Sequence, residues 1–295
     1  TRNMVTGAST ANAAILLVDA RAGLMTQTRR HAYLASLMGI RHVVLAVNKM
    51  DLMAYSESAF RGIVEGFEAF AHTLGFADIT AIPISALKGD NITERSVHTP
   101  WYTGPTLMGY LETVETARPE RQQAMALPIQ WVNRPHADFR GFCGTLAQGE
   151  VQVGDTIRVT ASGQTAQVAE IVTMDGPLQR AQAGQAITLR LDKEIDASRG
   201  DVMSLAQTPL ETTDQFEATL VWLHPEAGLS GRSYDLKLSS QWAACTITTI
   251  KHRVDINTLA QQSAKQLQLN DIALCNIATA KPLVYDTYQR SPTLG

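Results

Sequence analysis

The chain has 295 residues, enough for two or three domains with separate hydrophobic cores. Its 25 basic and 28 acidic residues leave a net charge of −3, so no global positive field marks it as nucleic-acid-binding, and we do not expect a nucleic-acid partner. No apolar run approaches the roughly 20 residues that a membrane-spanning helix needs, which argues against a membrane partner.

The cysteines and histidines give no sign of a metal centre. Cys143, Cys245 and Cys275 are far apart and lack C-x-x-C spacing, and the seven histidines show no H-x-x-x-H grouping. Unpaired, apolar cysteines are typical of a reducing cytoplasm, which is the localisation we predict. No nucleophile–base pair stands out, so no catalytic residue is predicted within this chain.

The first 118 or so residues alternate between strand and helix patterns, which predicts an α/β domain. The predicted elements are a strand at Ala13–Asp19, a helix at 26–38, a strand at Val43–Val47, a helix at 56–74, a strand at Ile79–Ile84 and a helix at 106–116. Thr26 is expected to cap the first of these helices. Pro83 favours an edge position for the third strand, because proline cannot donate to a central ladder.

Two of these strands end in polar segments that belong together. The apolar run before Asn48 opens into Asn48-Lys49-Met50-Asp51, and the strand ending at Ile84 delivers Ser85-Ala86-Leu87. Because the carboxyl ends of parallel strands meet at one edge of a sheet, both segments are predicted to form one nucleotide-binding site.

The residue types at this edge favour guanine. The Asp51 carboxylate can accept two parallel hydrogen bonds, from the ring N–H and the exocyclic amine of guanine. Adenine lacks that amine, and a site built for the donor pair rejects it by roughly 10⁴ or more. Lys49 can lie along the base, Asn48 can join the two loops, and the Ala86 N–H can meet the guanine carbonyl oxygen. In the alternative interpretation Asp51 merely caps the next helix, which leaves the second loop unexplained.

A phosphate-binding loop is absent from the sequence. Such a loop needs G-x-x-x-x-G-K-[ST], and none of the twenty glycines is followed by lysine. We therefore expect the phosphate-binding half of the site to lie upstream of Thr1, and the chain by itself to hydrolyse nothing.

The second half of the chain reads as all-β. A polar linker at 118–123 is followed by short strands with glycines about ten residues apart, which is typical of small antiparallel barrels. We predict three domains, at 1–118, 124–208 and 213–295. The glycines expected at turns are Gly141, Gly144, Gly149, Gly154, Gly163, Gly176, Gly184 and Gly200.

The succession of an α/β domain and two all-β domains resembles that of the elongation-factor-type translational GTPases, and within them that of the GTPase subunit of bacterial sulfate adenylyltransferase. The resemblance rests on the segments 1–9, 26–31, 101–107, 138–145 and 250–255. It implies a partial α/β P-loop GTPase domain followed by two antiparallel β-barrels.

The resemblance also implies cofactors and a partner. GTP or GDP would bind with Mg²⁺, whose ligands would lie upstream of Thr1. The segment from Thr1 to Gly7 would begin the second switch helix, and the last domain would continue beyond Gly295. A separate, smaller catalytic subunit would join ATP and sulfate into adenylyl sulfate, with GTP hydrolysis coupled to that step. An aminoacyl-tRNA-carrying translation factor and an interaction module without nucleotide remain as alternatives.

Overall fold

The computed structural model describes residues 1–116, 124–136 and 139–295. The chain divides into two compact units, one formed by Thr1–Pro119 with Val254–Gln262 and the other by Glu120–Arg253 with Ser263–Gly295. The predicted linker at 118–123 lies outside the described residues, as does Asp138 at the start of the segment 138–145.

The first unit is built on a parallel sheet of three strands. Its elements are α1 (Arg2–Ala8), β1 (Ala13–Asp19), α2 (Thr26–Leu37), β2 (His42–Asn48), a 3-10 helix (Met50–Met53), α3 (Glu57–Ala71), β3 (Asp78–Pro83) and α4 (Leu107–Thr113). The sheet order is β1-β2-β3, and Val43–Val47 of the central strand are fully buried. A strand covered on both faces reads as a continuous apolar run, which is why β2 is evident in the sequence. Pro83 lies at the edge of the described sheet, as predicted.

The register brings the strand ends together. Asp19 of β1 lies opposite Asn48 of β2, and Val47 lies opposite Pro83 of β3. All three strands therefore end at one edge, from which the residues after Asn48 and Pro83 emerge. Ligands of open parallel sheets bind at this edge.

Three predicted helix ends were wrong. Thr26 is the first residue of α2 rather than its cap, and its hydroxyl donates to Asn257 Oδ1 at 3.0 Å. α3 ends at Ala71, short of Leu74, and α4 ends at Thr113, short of Thr116.

The paired strands described in the second unit run antiparallel. Its first group of strands comprises β4 (Leu127–Pro128), β5 (Trp131–Asn133), β6 (Gly141–Thr145), β7 (Glu150–Gln152), β8 (Thr156–Val159), β9 (Thr165–Thr173), β10 (Gly176–Leu178), β11 (Arg180–Gln182), β12 (Ala186–Leu191) and β13 (Val202–Leu205). Eight of these form one sheet, in the order β4-β13-β8-β9-β12-β6-β5 with β10 beside β9, while β11 pairs with β7.

The remaining strands form the second barrel. They are β14 (Thr212–Val221), β15 (Gly228–Leu229), β16 (Ser233–Leu238), β17 (Gln241–Val254), β19 (Gln266–Leu267) and β20 (Ile272–Val284), while β18 (Gln261–Gln262) falls within the stretch Val254–Gln262 of the first unit. The main sheet has the order β14-β20-β17-β16. The predicted α/β domain followed by two antiparallel β-barrels is confirmed. The domain limits at 208 and 213 stay a prediction.

The glycine pattern was only partly informative. Six of the eight glycines have positive φ, the left-handed conformation that turns require, namely Gly149, Gly154, Gly163, Gly176, Gly184 and Gly200. Gly141 and Gly144 instead lie within β6, so their assignment to turns was wrong. A Cβ on Gly144 would collide with the Pro128 carbonyl oxygen, and one on Gly141 with the Thr188 side chain. Close approach of neighbours, not turn geometry, requires glycine there.

Every helix among the described residues is too short or too polar to span a bilayer.

Candidate functional site

Asn48 joins the two loops at the strand edge. Its Oδ1 accepts hydrogen bonds from the Lys49 N–H at 2.7 Å and from the Ala86 N–H at 3.0 Å. The side chain is buried, since only 9% of the residue is exposed. A single amide oxygen therefore fixes the start of one loop against the other, while the Asn48 amide nitrogen donates to none of the described residues.

Lys49 is held at this edge in an unusual conformation. Its φ of 66° is left-handed, a region that long side chains rarely adopt. Its Nζ lies 2.8 Å from Asp19 Oδ2, at the end of the neighbouring strand. Asp19 also accepts from the Arg21 Nε at 3.1 Å. The bonds from Arg21, and then from Lys49, hold the pKa of Asp19 well below its usual range.

Asp51 offers a free carboxylate. It lies in the 3-10 helix and accepts no hydrogen bond from the described part of the chain. The following helix α3 is capped by Ser56, whose hydroxyl oxygen accepts from the Ala59 N–H at 3.3 Å. The interpretation of Asp51 as the cap of that helix is therefore wrong, and its carboxylate is left for a ligand.

The second loop carries two consecutive backbone N–H groups, on Ala86 and Leu87, of which only the first has a partner in the described part of the chain. Ser85 is fully buried and its hydroxyl oxygen accepts from the Lys88 N–H at 3.2 Å, which shapes the turn. The Ala86 N–H, expected to face a base, already donates to Asn48. The next N–H, on Leu87, has no partner among the described residues, and the Leu87 side chain is 84% exposed. Leu87 therefore carries the available donor.

Met50 does not present its side chain at the edge. It is completely buried in the core between the sheet and α3, and its N–H donates to the Ile84 carbonyl at 3.2 Å. Met50 belongs to the predicted nucleotide-binding segment, and the 3-10 turn points its side chain inward. Met50 anchors the loop to β3 instead.

Sequence reasoning missed Tyr55 and Asp90. The Tyr55 hydroxyl donates to Asp90 Oδ2 at 2.7 Å, joining the far ends of the same two loops. The two residues are 35 positions apart and belong to neither polar segment. No local spacing predicts their contact.

The strand edge thus combines a free carboxylate, a free backbone N–H and a free amide nitrogen. By residue type, these groups are the counterparts of a ring edge with two adjacent donors and two acceptors, a set that guanine has and adenine does not. A metal ion finds no equivalent arrangement, since the described residues contain no cluster of three or more His, Cys, Asp or Glu side chains that could hold one.

Comparison with known proteins extends this picture. Residues 1–177 match the family described as the elongation factor Tu GTP binding domain, and residues 215–295 match the GTP-eEF1A C-terminal domain-like family. Among solved structures, sup35 complexed with GMPPNP is similar with a TM-score of 0.55 and 23% identity, over 98% of this chain and 75% of that one. At that identity the likeness concerns the fold alone.

Curated relatives match over the whole chain. Bifunctional enzyme NodQ of Rhizobium sp. (strain BR816) is 48% identical, and this chain covers 47% of its length. Bifunctional enzyme CysN/CysC of Xylella fastidiosa is 49% identical, again with 47% of its length covered. Sulfate adenylyltransferase subunit 1 of Citrobacter koseri is 49% identical, with 62% of its length covered.

The chain therefore spans between about half and three fifths of the length of these relatives. The first family match covers more than half of the 295 residues and includes every residue of the strand-edge site. On this ground, the chain belongs to the elongation factor Tu GTP-binding domain family.

Proposed function

We propose that this chain binds guanine nucleotide through Asn48, Lys49, Asp51 and the Ser85–Leu87 loop. The observation that carries the proposal is the free Asp51 carboxylate, beside a loop that Asn48 fixes through the Ala86 N–H at 3.0 Å. Asp51 would accept from the ring N–H and the exocyclic amine, and the Leu87 N–H would donate to the carbonyl oxygen. Asn48 would donate to the ring through its free amide nitrogen, and Lys49 would cover one face of the base.

We further propose that the protein is the GTP-binding subunit of sulfate adenylyltransferase. Support comes from the Citrobacter koseri relative, which is named as subunit 1 of that enzyme. In the reaction a sulfate oxygen attacks the α-phosphorus of ATP, and the bond to the β-phosphate breaks to release pyrophosphate. The phosphate–sulfate anhydride formed is a high-energy bond. A GTPase whose nucleotide states differ in affinity for a smaller catalytic subunit could draw this step forward.

Mg²⁺ would accompany the nucleotide, as in GTP-binding domains generally. The described residues contain no cluster of three or more His, Cys, Asp or Glu side chains that could hold it. The name of the Citrobacter koseri relative disfavours the alternative of an aminoacyl-tRNA carrier. Cytoplasmic localisation stays a prediction.

The base-recognition proposal is tested by exchanging the Asp51 carboxylate for a carboxamide. In the full-length protein, Asp51→Asn should weaken GDP binding by roughly 100-fold, because it loses a charge-assisted acceptor pair. The same change should improve binding of xanthosine diphosphate, whose ring presents one donor beside a carbonyl and therefore matches an amide. Equal affinity of the wild-type protein for GDP and ADP, measured by calorimetry, would contradict the proposal.

The enzyme assignment needs a separate experiment. A smaller subunit should copurify with the full-length protein, and the pair should make adenylyl sulfate from ATP and sulfate faster when GTP is present. Tight, strongly salt-dependent binding of tRNA without that activity would overturn the assignment.

A further inference from the structure

A second contact joins the two proposed base-binding loops, beyond both sequence segments. Tyr55 follows the 3-10 helix that carries Asp51, and Asp90 closes the turn that carries Ala86 and Leu87. The Tyr55 hydroxyl donates to Asp90 Oδ2 at 2.7 Å. We propose that this Tyr55–Asp90 clamp positions the loops for guanine, so that Tyr55 is a positioning residue of the site. The inference rests on the proposed guanine-binding function.

The backbone around the clamp is strained. Seven described non-glycine residues have positive φ, and four of them, Lys49, Ala54, Tyr55 and Asn91, lie in these two loops. Tyr55 has a φ of 53°, a conformation that is an outlier for a bulky residue. Such strain persists only where surrounding contacts over-determine it, and it concentrates at functional sites.

Several contacts fix Tyr55 so that its hydroxyl meets Asp90. Its carbonyl oxygen accepts from Trp101 Nε1 at 3.1 Å, and its N–H donates to the Met50 carbonyl at 2.8 Å. Its ring stacks on His98, with centroids 4.8 Å apart and planes at 19°. The hydroxyl therefore has little freedom to find another partner.

Asp90 transmits this constraint to the donor loop. Its Oδ1 accepts from the Ser96 hydroxyl at 2.6 Å, so both carboxylate oxygens are engaged. Its carbonyl accepts from the Ser85 N–H at 3.3 Å, directly before Ala86. The adjacent Asn91 is buried, and its amide donates to the Pro83 carbonyl at 2.7 Å. A displacement of Asp90 would therefore move the turn that presents the Leu87 N–H.

The protonation states suit this arrangement. Burial, with the hydrogen bond to Asp90 next in importance, raises the pKa of Tyr55 to about 12, so the hydroxyl keeps its proton. Burial works against ionisation of Asp90, but the hydrogen bonds from Ser96 and Tyr55 outweigh it and lower the pKa of that carboxyl. The clamp is thus a neutral donor on a carboxylate at any pH near neutrality.

The chain offers a matched control for the clamp. The Tyr110 hydroxyl donates to Asp78 Oδ2 at 2.6 Å, which is the same chemistry at the opposite, amino end of β3. Tyr55→Phe and Tyr110→Phe each remove one hydroxyl from a tyrosine–aspartate pair. Only the first pair joins the base-binding loops.

We expect Tyr55→Phe in the full-length protein to weaken GDP binding roughly 3- to 10-fold, the scale of one hydrogen bond, through faster dissociation. It should also reduce the preference for guanosine over inosine diphosphate. The inosine base differs from guanine only in lacking the exocyclic amine, from which Asp51 would accept a hydrogen bond. Tyr110→Phe should leave both quantities within about twofold of wild type while costing comparable thermal stability. A purely structural role for Tyr55 would not move the guanosine-to-inosine ratio.

The outcomes separate the clamp from the function on which it rests. If wild type prefers GDP to ADP, and Tyr55→Phe and Tyr110→Phe have the same GDP affinity and the same preference for guanosine over inosine diphosphate, the clamp alone is overturned. If wild type shows no such preference, the proposed function is overturned and the clamp with it. Should Tyr55→Phe not fold, Asp90→Asn takes its place in the test. This variant keeps one acceptor oxygen and should weaken GDP binding by less than the effect expected for Tyr55→Phe. Unchanged GDP affinity in Asp90→Asn would also overturn the clamp.

Discussion

Asp19 is the residue through which pH should act on the strand edge. Its Oδ2 accepts from the Arg21 guanidinium and from Lys49 Nζ, each at 2.8 Å. These bonds favour the carboxylate and lower its pKa in the folded protein. An unfolded aspartate titrates near pH 3.9, so the stabilisation is fully present above about pH 4 and is lost as pH falls toward the lower folded pKa.

We therefore expect Asp19→Asn to be less stable than wild type by a constant amount between about pH 5 and pH 8. The difference should shrink as the solution is acidified below about pH 4. Urea midpoints across this range measure it, with the exposed Asp175→Asn as the control that should track wild type throughout. A difference that widens on acidification would contradict the sign of the pKa shift.

At the scale of the element, two residues before α3 have different roles: Ser56 stabilises the helix, and Asp51 belongs to the proposed binding site. Ser56 caps the helix, while Asp51 lies in the preceding 3-10 helix and accepts no hydrogen bond from the described residues. Ser56→Ala should cost about 1 kcal/mol of unfolding free energy and leave the preference for GDP over ADP intact. Asp51→Ala should leave the unfolding free energy nearly unchanged and remove the preference for GDP over ADP. Denaturant unfolding and nucleotide titration on both variants test the pair, and equal destabilisation by the two would restore the capping role of Asp51.

Some of these elements could be predicted from the sequence, because their causes are local. β2 was predictable because burial on both faces makes Val43–Val47 a continuous apolar run, and that run locates Asn48 and Asp51 at its end. The turn glycines with positive φ were predictable for a local reason as well, since few other residues tolerate that conformation. Features that depend on neighbouring residues in the chain can thus be predicted from the sequence pattern.

The features that were missed have distant causes. Thr26 resembles a helix cap, but its hydroxyl bonds Asn257, 231 positions away. Gly144 resembles a turn residue, but it is required by the Pro128 carbonyl of another strand. The clamp joins Tyr55 to Asp90 across 35 positions. Within the site, Asn48 joins the two loops as its residue type suggested, but residue types alone could not tell that its oxygen accepts from the Ala86 N–H.

At the scale of the whole molecule, the two units have cores of their own. The core of the first barrel is drawn entirely from the second unit, and its largest fully buried members are Phe142, Met125, Leu127, Ile129, Leu146 and Ile157. The proposed base-binding loops lie entirely in the first unit. Damage to the barrel core should therefore be visible in stability without altering base recognition.

Gly144 offers that test, because an added Cβ would meet the Pro128 carbonyl oxygen and would lie 3.0 Å from Leu127 Cδ1. A backbone oxygen in a paired strand cannot move aside cheaply, so Gly144→Ala should lose about 1–3 kcal/mol of stability and speed amide exchange in β4 and β6. Its GDP affinity should match wild type. The same substitution at Gly62 meets nothing within 4 Å in α3 and should instead gain about 0.5–1 kcal/mol, because alanine favours helix. Loss of GDP affinity in Gly144→Ala would mean that the barrel and the base-binding loops are energetically coupled.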